Sequence, residues 1–210
     1  MNFCEKLRAA LQSRPPKIEN ENDYFSSAVL IPLVNYKGEL RVLFEVRSSM
    51  LSWQPGEICF PGGHIEQEDC NPLAAAIRET SEEIGVPQEL IHPIGAIDYI
   101  VSPIGVILYP YVGFIERAGA VQPSCDEVGR IFSVPLDYLL AAEPLTGRME
   151  LATRPLGDFP FHLMPDTYPQ GWKRRTEYEV LFYQYKEHVI WGLTAKVLHK
   201  FLQVCKEIKD

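Results

Sequence analysis

Residues 62–86 read GGHIEQEDCNPLAAAIRETSEEIGV, a paired glycine followed by a helix that carries three carboxylates. Asn71-Pro72 marks the opening of that helix and Gly85 its end. Glu79, Glu82 and Glu83 fall within an arc of roughly 100° at 3.6 residues per turn. Leu73, Ile77, Thr80 and Ile84 lie together on the opposite side, which predicts a buried face there. Carboxylates crowded on one arc repel each other, and a cation relieves that repulsion. Mg²⁺ and Mn²⁺ take carboxylate oxygens and keep positions open for substrate phosphate. A Glu-rich helix face is also the ordinary pattern of solvated surface. Two features favour the cation here: Arg78 can pair with Glu82 at i,i+4, and the Gly62-Gly63 pair lets backbone approach a ligand closely.

The strands are legible on both sides. SSAVLIPLV (26–34) is an apolar run and LRVLFEVRS (40–48) alternates, with a turn at 35–38 between them. IGAIDYIV (94–101) and VILYPYVGFIE (106–116) predict a second hairpin, RIFSVPLDYLL (130–140) a strand running into a helix, and YEVLFYQY (178–185) a further strand. Amphipathic helices are expected at the N-terminus, from Phe3, Leu7 and Leu11 up to Pro15-Pro16, and near the C-terminus over 193–206. Residues 142–177, rich in Pro, Gly and Arg, read as a long loop insertion. The expectation is one α/β domain over 1–210, with a helical segment in 1–20 and a mixed rather than doubly wound parallel sheet.

Composition narrows the partners. The net charge of −8 argues against nucleic acid, and no apolar run is long enough to span a bilayer. Cys4, Cys59, Cys70, Cys125 and Cys205 are scattered, which predicts reduced thiols in a cytoplasmic protein. A homodimer is one assembly open to such a chain.

The 62–86 segment resembles the Nudix box, G-x5-E-x7-R-E-U-x-E-E-x-G-U with U apolar. Arg78, Glu79, Glu82, Glu83, Gly85 and Val86 match residue by residue, and Thr80 occupies a normally aliphatic position. The upstream acid is Asp69, one residue farther from Arg78 than the pattern has it. The resemblance implies an α/β/α sandwich with a mixed, largely antiparallel sheet, and a pyrophosphohydrolase that uses Mg²⁺ or Mn²⁺. It implies Glu79, Glu82 and Glu83 as metal ligands, with Glu79, Glu82 and Arg78 as the catalytic set. The base is left open among these glutamates, and Glu127 in a later loop is a further candidate beside Asp69.

A second signature lies upstream. The stretch from Leu43 to Gly63, LFEVRSSMLSWQPGEICFPGG, is similar to the coenzyme A pyrophosphatase pattern L-L-T-x-R-[SA]-x3-R-x3-G-x3-F-P-G-G. Arg47, Ser48, Gly56, Phe60, Pro61, Gly62 and Gly63 match; Phe44, Glu45 and Ser52 depart, the last from an arginine. This implies Arg47, Gly62 and Gly63 as substrate-binding residues. The substrate would be coenzyme A or an acyl-CoA, giving 3′,5′-ADP and (acyl-)4′-phosphopantetheine. ADP-ribose, a dinucleotide or a nucleoside triphosphate is the alternative small-molecule substrate. A ligand-sensing, non-catalytic Nudix domain is the remote one, since all three helix glutamates are present.

Overall fold

The computed structural model describes residues 2–14, 20, 23–116, 124 and 126–209; Pro15-Pro16 and Cys125 lie outside them. Strand β1 (Phe25–Tyr36) is the centre of the main sheet. Its residues alternate between two apolar layers: Leu30 and Val34 point to one side, Ile31 and Leu33 to the other. It turns back into β2 (Glu39–Arg47), pairing Leu33 with Val42 through Tyr36 with Glu39. The two strands then part. Into the gap go β3 (Ile58–Cys59), paired to β2, and β4 (Gly62–His64), paired to β1. The glycine pair is therefore held in the middle of the sheet.

Helix α2 (Pro72–Ile84) follows. The Asn71 side chain caps it by accepting from the Ala74 N–H at 3.0 Å, Pro72 opens the first turn, and Gly85 ends it at φ 68°. Ala75 and Ala76 pack on Ala28, and Ile84 packs with Leu30, Val34, Leu43 and Ile115. Full burial of a side chain such as Ile84 contributes roughly 1.5–3 kcal/mol. A single 3₁₀ turn leads to β5 (Ile91–Ala96) and β6 (Ile100–Ser102), which both pair antiparallel with β7 (Val106–Ile115). The strand expected over 94–101 is thus two strands, with a register shift between Pro93 and Gly95. β7 runs parallel to β1 over ten residue pairs, Phe25–Val106 to Val34–Ile115.

β8 (Val128–Pro135) pairs with β2 and runs into α3 (Leu136–Ala141). The loop predicted over 142–177 is corrected by the structure. Residues 145–153 form β9 (Leu145–Thr153), and β10 begins at Lys173 and runs to Tyr185, so the irregular part is confined to the stretch between them. β10 pairs with β9 on one side and β11 (His188–Trp191) on the other, making a second, three-stranded sheet. The C-terminal helix α4 (Gly192–Lys209) returns over the main sheet. One contiguous cluster joins Phe44, Phe60 and Val112 of the main sheet to Tyr183 and Ile190 of the second and to Leu198 and Phe201 of α4. Together, α2 on one face and α4 on the other give the expected α/β/α sandwich. Helix α1 (Phe3–Gln12), with an Asn2–Glu5 capping box, buries none of its residues. Among the described residues, no helix is long and apolar enough to cross a membrane.

Candidate active site

The acidic arc of α2 is split by its surroundings. Glu83 turns into the protein, with 4% of its surface exposed, and accepts the Gly62 N–H at 2.7 Å. Glu79 lies half-way out, against Gly63, and accepts from Arg78 Nη1 at 2.9 Å. Glu82 faces solvent, 59% exposed at the side chain, and meets the same nitrogen at 3.3 Å. The structure thus brings Glu79 and Glu83 to one cleft and leaves Glu82 outside its lining. That division follows from the helix: an arc of about 100° is wide enough to straddle the boundary between sheet and solvent.

Arg78 is the hub of the outer carboxylates. Its Nε and Nη2 reach Asp69 Oδ1 and Oδ2 at 3.2 and 2.9 Å, a two-pronged pair, and Nη2 also donates to the His64 carbonyl at 3.2 Å. The guanidinium holds the Asp69 carboxyl below its usual range, and Asp69 in turn raises Arg78. Asp69 does not line the cleft; it fixes the residue that orients Glu79.

The two glycines receive these carboxylates. Gly62 has φ 148°, and an added Cβ would lie 2.3 Å from the Ala28 carbonyl oxygen. A Cβ on Gly63 would lie 2.5 Å from the Glu79 carboxyl carbon. Both glycines line the cleft, but the Gly62 N–H is already spent on Glu83.

The cleft encloses about 390 Å³. Glu79, Glu83 and Glu127 line it together with Arg47, whose Nε and Nη2 each lie 3.4 Å from the Trp53 carbonyl. The loop that carries Glu127 is tied to β2 by the Ser48 N–H, which donates to the Glu127 carbonyl at 2.8 Å. His64 is exposed, donates Nδ1–H to the Ser26 carbonyl at 3.0 Å, and stacks on Phe25.

Behind the lining lies a residue whose role the sequence reading did not assign. Glu45, on β2, is 1% exposed and follows Leu43 on the α2 side of the sheet. Its Oε1 accepts the Cys59 thiol at 3.1 Å, while Oε2 is buried with no hydrogen-bond partner. Burial, and then repulsion from Glu45, raises Glu83 far above the usual carboxylate range; burial also raises Glu45 and Glu79. In the sequence Glu45 is marked only by its departure from the threonine of the upstream signature, in a strand that alternates and also carries Glu39, Arg41 and Arg47.

These groups fit a hard divalent cation. All are oxygen donors, they repel one another, and one buried oxygen lacks a partner. Among the described residues, no three His, Cys, Asp or Glu side chains already converge in a metal-holding arrangement.

The NUDIX domain family model matches residues 24–150, from β1 into β9. The chain is a Nudix hydrolase. It is a pyrophosphohydrolase by that membership, and Nudix hydrolases generally use divalent metal ions. The uncharacterized Nudix hydrolase NudL of Photorhabdus laumondii is 27% identical over 202 residues, covering 96% of this Nudix chain and 95% of its own. NudL of Escherichia coli K12 is 30% identical over 186 residues, 88% of this chain and 85% of its own. The peroxisomal coenzyme A diphosphatase NUDT7 of Mus musculus is 36% identical over 142 residues, 66% of this chain and 59% of its own.

Proposed function

We propose that this Nudix hydrolase cleaves the pyrophosphate link of coenzyme A or an acyl-CoA, giving 3′,5′-ADP and (acyl-)4′-phosphopantetheine, with Mg²⁺ or Mn²⁺ as cofactor. The observation that carries the reading is the 36% identity to a coenzyme A diphosphatase. The cleft position of Arg47, Gly62 and Gly63, all within the upstream signature, supports it. A cytoplasmic setting fits the free thiols of Cys4, Cys59 and Cys70.

The cleft explains why a cation is needed. The lining sets Glu79, Glu83 and Glu127 against a single guanidinium, so it offers a polyanionic substrate little positive charge of its own. When bound, a divalent cation neutralises the phosphoryl oxygens and acidifies the attacking water. Glu79 and Glu83 would hold it, and Glu82 is placed to join from the rim. Arg78 keeps Glu79 aimed inward. Arg47 takes a phosphate oxygen of the substrate. Water attacks one phosphorus, the bridging P–O bond breaks, and the bridging oxygen leaves with the other phosphate. A cleft carboxylate accepts the proton from water, and Glu127 is the one not anchored by Arg78 or Gly62.

The test is a panel of coenzyme A, acetyl-CoA, ADP-ribose, dinucleotides and nucleoside triphosphates, each with Mg²⁺ and with Mn²⁺, products identified by mass. Release of 3′,5′-ADP is expected. Intact coenzyme A under conditions that cleave ADP-ribose or a dinucleotide would overturn the substrate assignment.

A further inference from the structure

We propose that Glu45 supplies a further carboxylate to the divalent-cation site, reaching it from the sheet side with the Oε2 that has no protein partner. The inference rests on the metal reading above and adds a ligand that neither the box nor the upstream signature contains. The signature carries threonine at this position.

The placement is specific. Glu45 points to the α2 side of β2, as Leu43 does, and Leu43 packs with Ile84 next to Glu83. Cys59, which holds Oε1 at 3.1 Å, is itself a cleft-lining residue. Glu45 thus sits directly behind the cleft floor. The charged groups felt there are Arg47 on its own strand, Glu79 and Glu83 from α2, and Glu127 from the loop before β8. Only Arg47 is positive.

A buried carboxylate with an unpaired oxygen is costly, because desolvation is not repaid by a hydrogen bond. A packing role needs no such group; threonine or glutamine fills a strand position without it. A hard cation shared with Glu83 repays the cost for both acids, and an added carboxylate tightens a site that otherwise relies on α2. The metal-free protein is then destabilised by Glu45, and the cation-loaded protein is stabilised through it.

The experiment is calorimetric titration of the full chain with MnCl₂ alone, without nucleotide, on wild type, Glu45→Gln, Glu45→Thr and Glu83→Gln. Thermal unfolding with and without Mn²⁺ is the second readout. Mn²⁺ affinity should fall at least fivefold in both Glu45 variants, and their Mn²⁺-induced gain in Tm should shrink although their metal-free Tm is equal to wild type or higher. If Glu45→Gln fails to fold, Glu45→Thr carries the comparison. A loss under fivefold in the folded Glu45 variants, with Glu83→Gln clearly weakened, overturns the role of Glu45 and leaves the metal site standing. Wild type that takes up no Mn²⁺ overturns the metal reading itself.

Discussion

A Cβ on Gly63 would fall within 2.5–2.7 Å of all three carboxyl atoms of Glu79. The absence of a side chain there is what lets the carboxylate lie on the backbone at the cleft. Gly63→Ala should leave the fold intact, because Gly63 has no positive φ and the clash is with a movable side chain. Its kcat should drop about 10–100-fold, the range for misplacing a reacting group by about an ångström. Gly62→Ala should behave differently. It meets backbone at 2.3 and 2.6 Å and has φ 148°, so it should lower stability, read by urea unfolding, rather than activity alone.

The buried acids make the metal-free protein sensitive to alkali. An acid whose native pKa is raised keeps its proton in the folded state after the unfolded chain has lost it. Stability then falls as pH rises. The window runs from the ordinary value of 4.5 up through about 7 for Glu45 and about 9 for Glu83. Urea midpoints in EDTA should decline across that range, and Glu83→Gln should flatten the decline. A midpoint that rises with pH over the same interval would contradict the burial of these charges.

Asp69→Asn removes the charge that grips Arg78 and leaves the shape. Partners that orient a ligand typically cost 10–100-fold in activity or metal affinity when changed, and a loss of about that size is expected. Stability should change little, since Arg78 keeps Glu79 and Glu82. Steady-state kinetics beside thermal unfolding separates the two effects.

Glu127→Gln tests the proton acceptor. A loss of at least about 100-fold in kcat is expected for a general base. A loss under about threefold returns Glu127 to the surface of its loop.

Ser52 stands exposed in the loop whose Leu51, Trp53 and Gln54 line the cleft. An arginine there adds a charged hydrogen-bond donor near the substrate phosphates. Such a contact contributes roughly 1.5–3 kcal/mol, or about ten- to a hundredfold in kcat/KM. Ser52→Arg should therefore improve coenzyme A cleavage by that order. Unchanged kcat/KM would mean that the loop does not meet the phosphates.

The parts of the fold that could be read from residues are those with a local physical signature. Asn71, Pro72 and Gly85 bracket α2, and the hairpin of β1 and β2 announces itself by apolar alternation around a tight turn. β9 gave no such signal, because most of its residues are exposed on both faces and its place is set by backbone pairing to β10. At the site, helix periodicity gathers Glu79, Glu82 and Glu83. It cannot tell that Glu83 goes inward, since that depends on an N–H supplied by a strand wedged between β1 and β2. Glu45 falls on the polar period of an alternating strand and reads there as an exposed acid; its burial needs α2 laid above it.

The parallel pairing of β1 with β7 also bears on how the enzyme comes into being. Residues 25–34 and 106–115 must find each other across the whole of the box before the central strand is flanked on both edges. Closing so long a loop is entropically slow, and pairings of high sequence separation delay folding. Recovery of activity after dilution from denaturant should therefore lag behind recovery of helical signal. A nascent chain ending before Val106 would carry every box glutamate and have no neighbour for the far edge of β1.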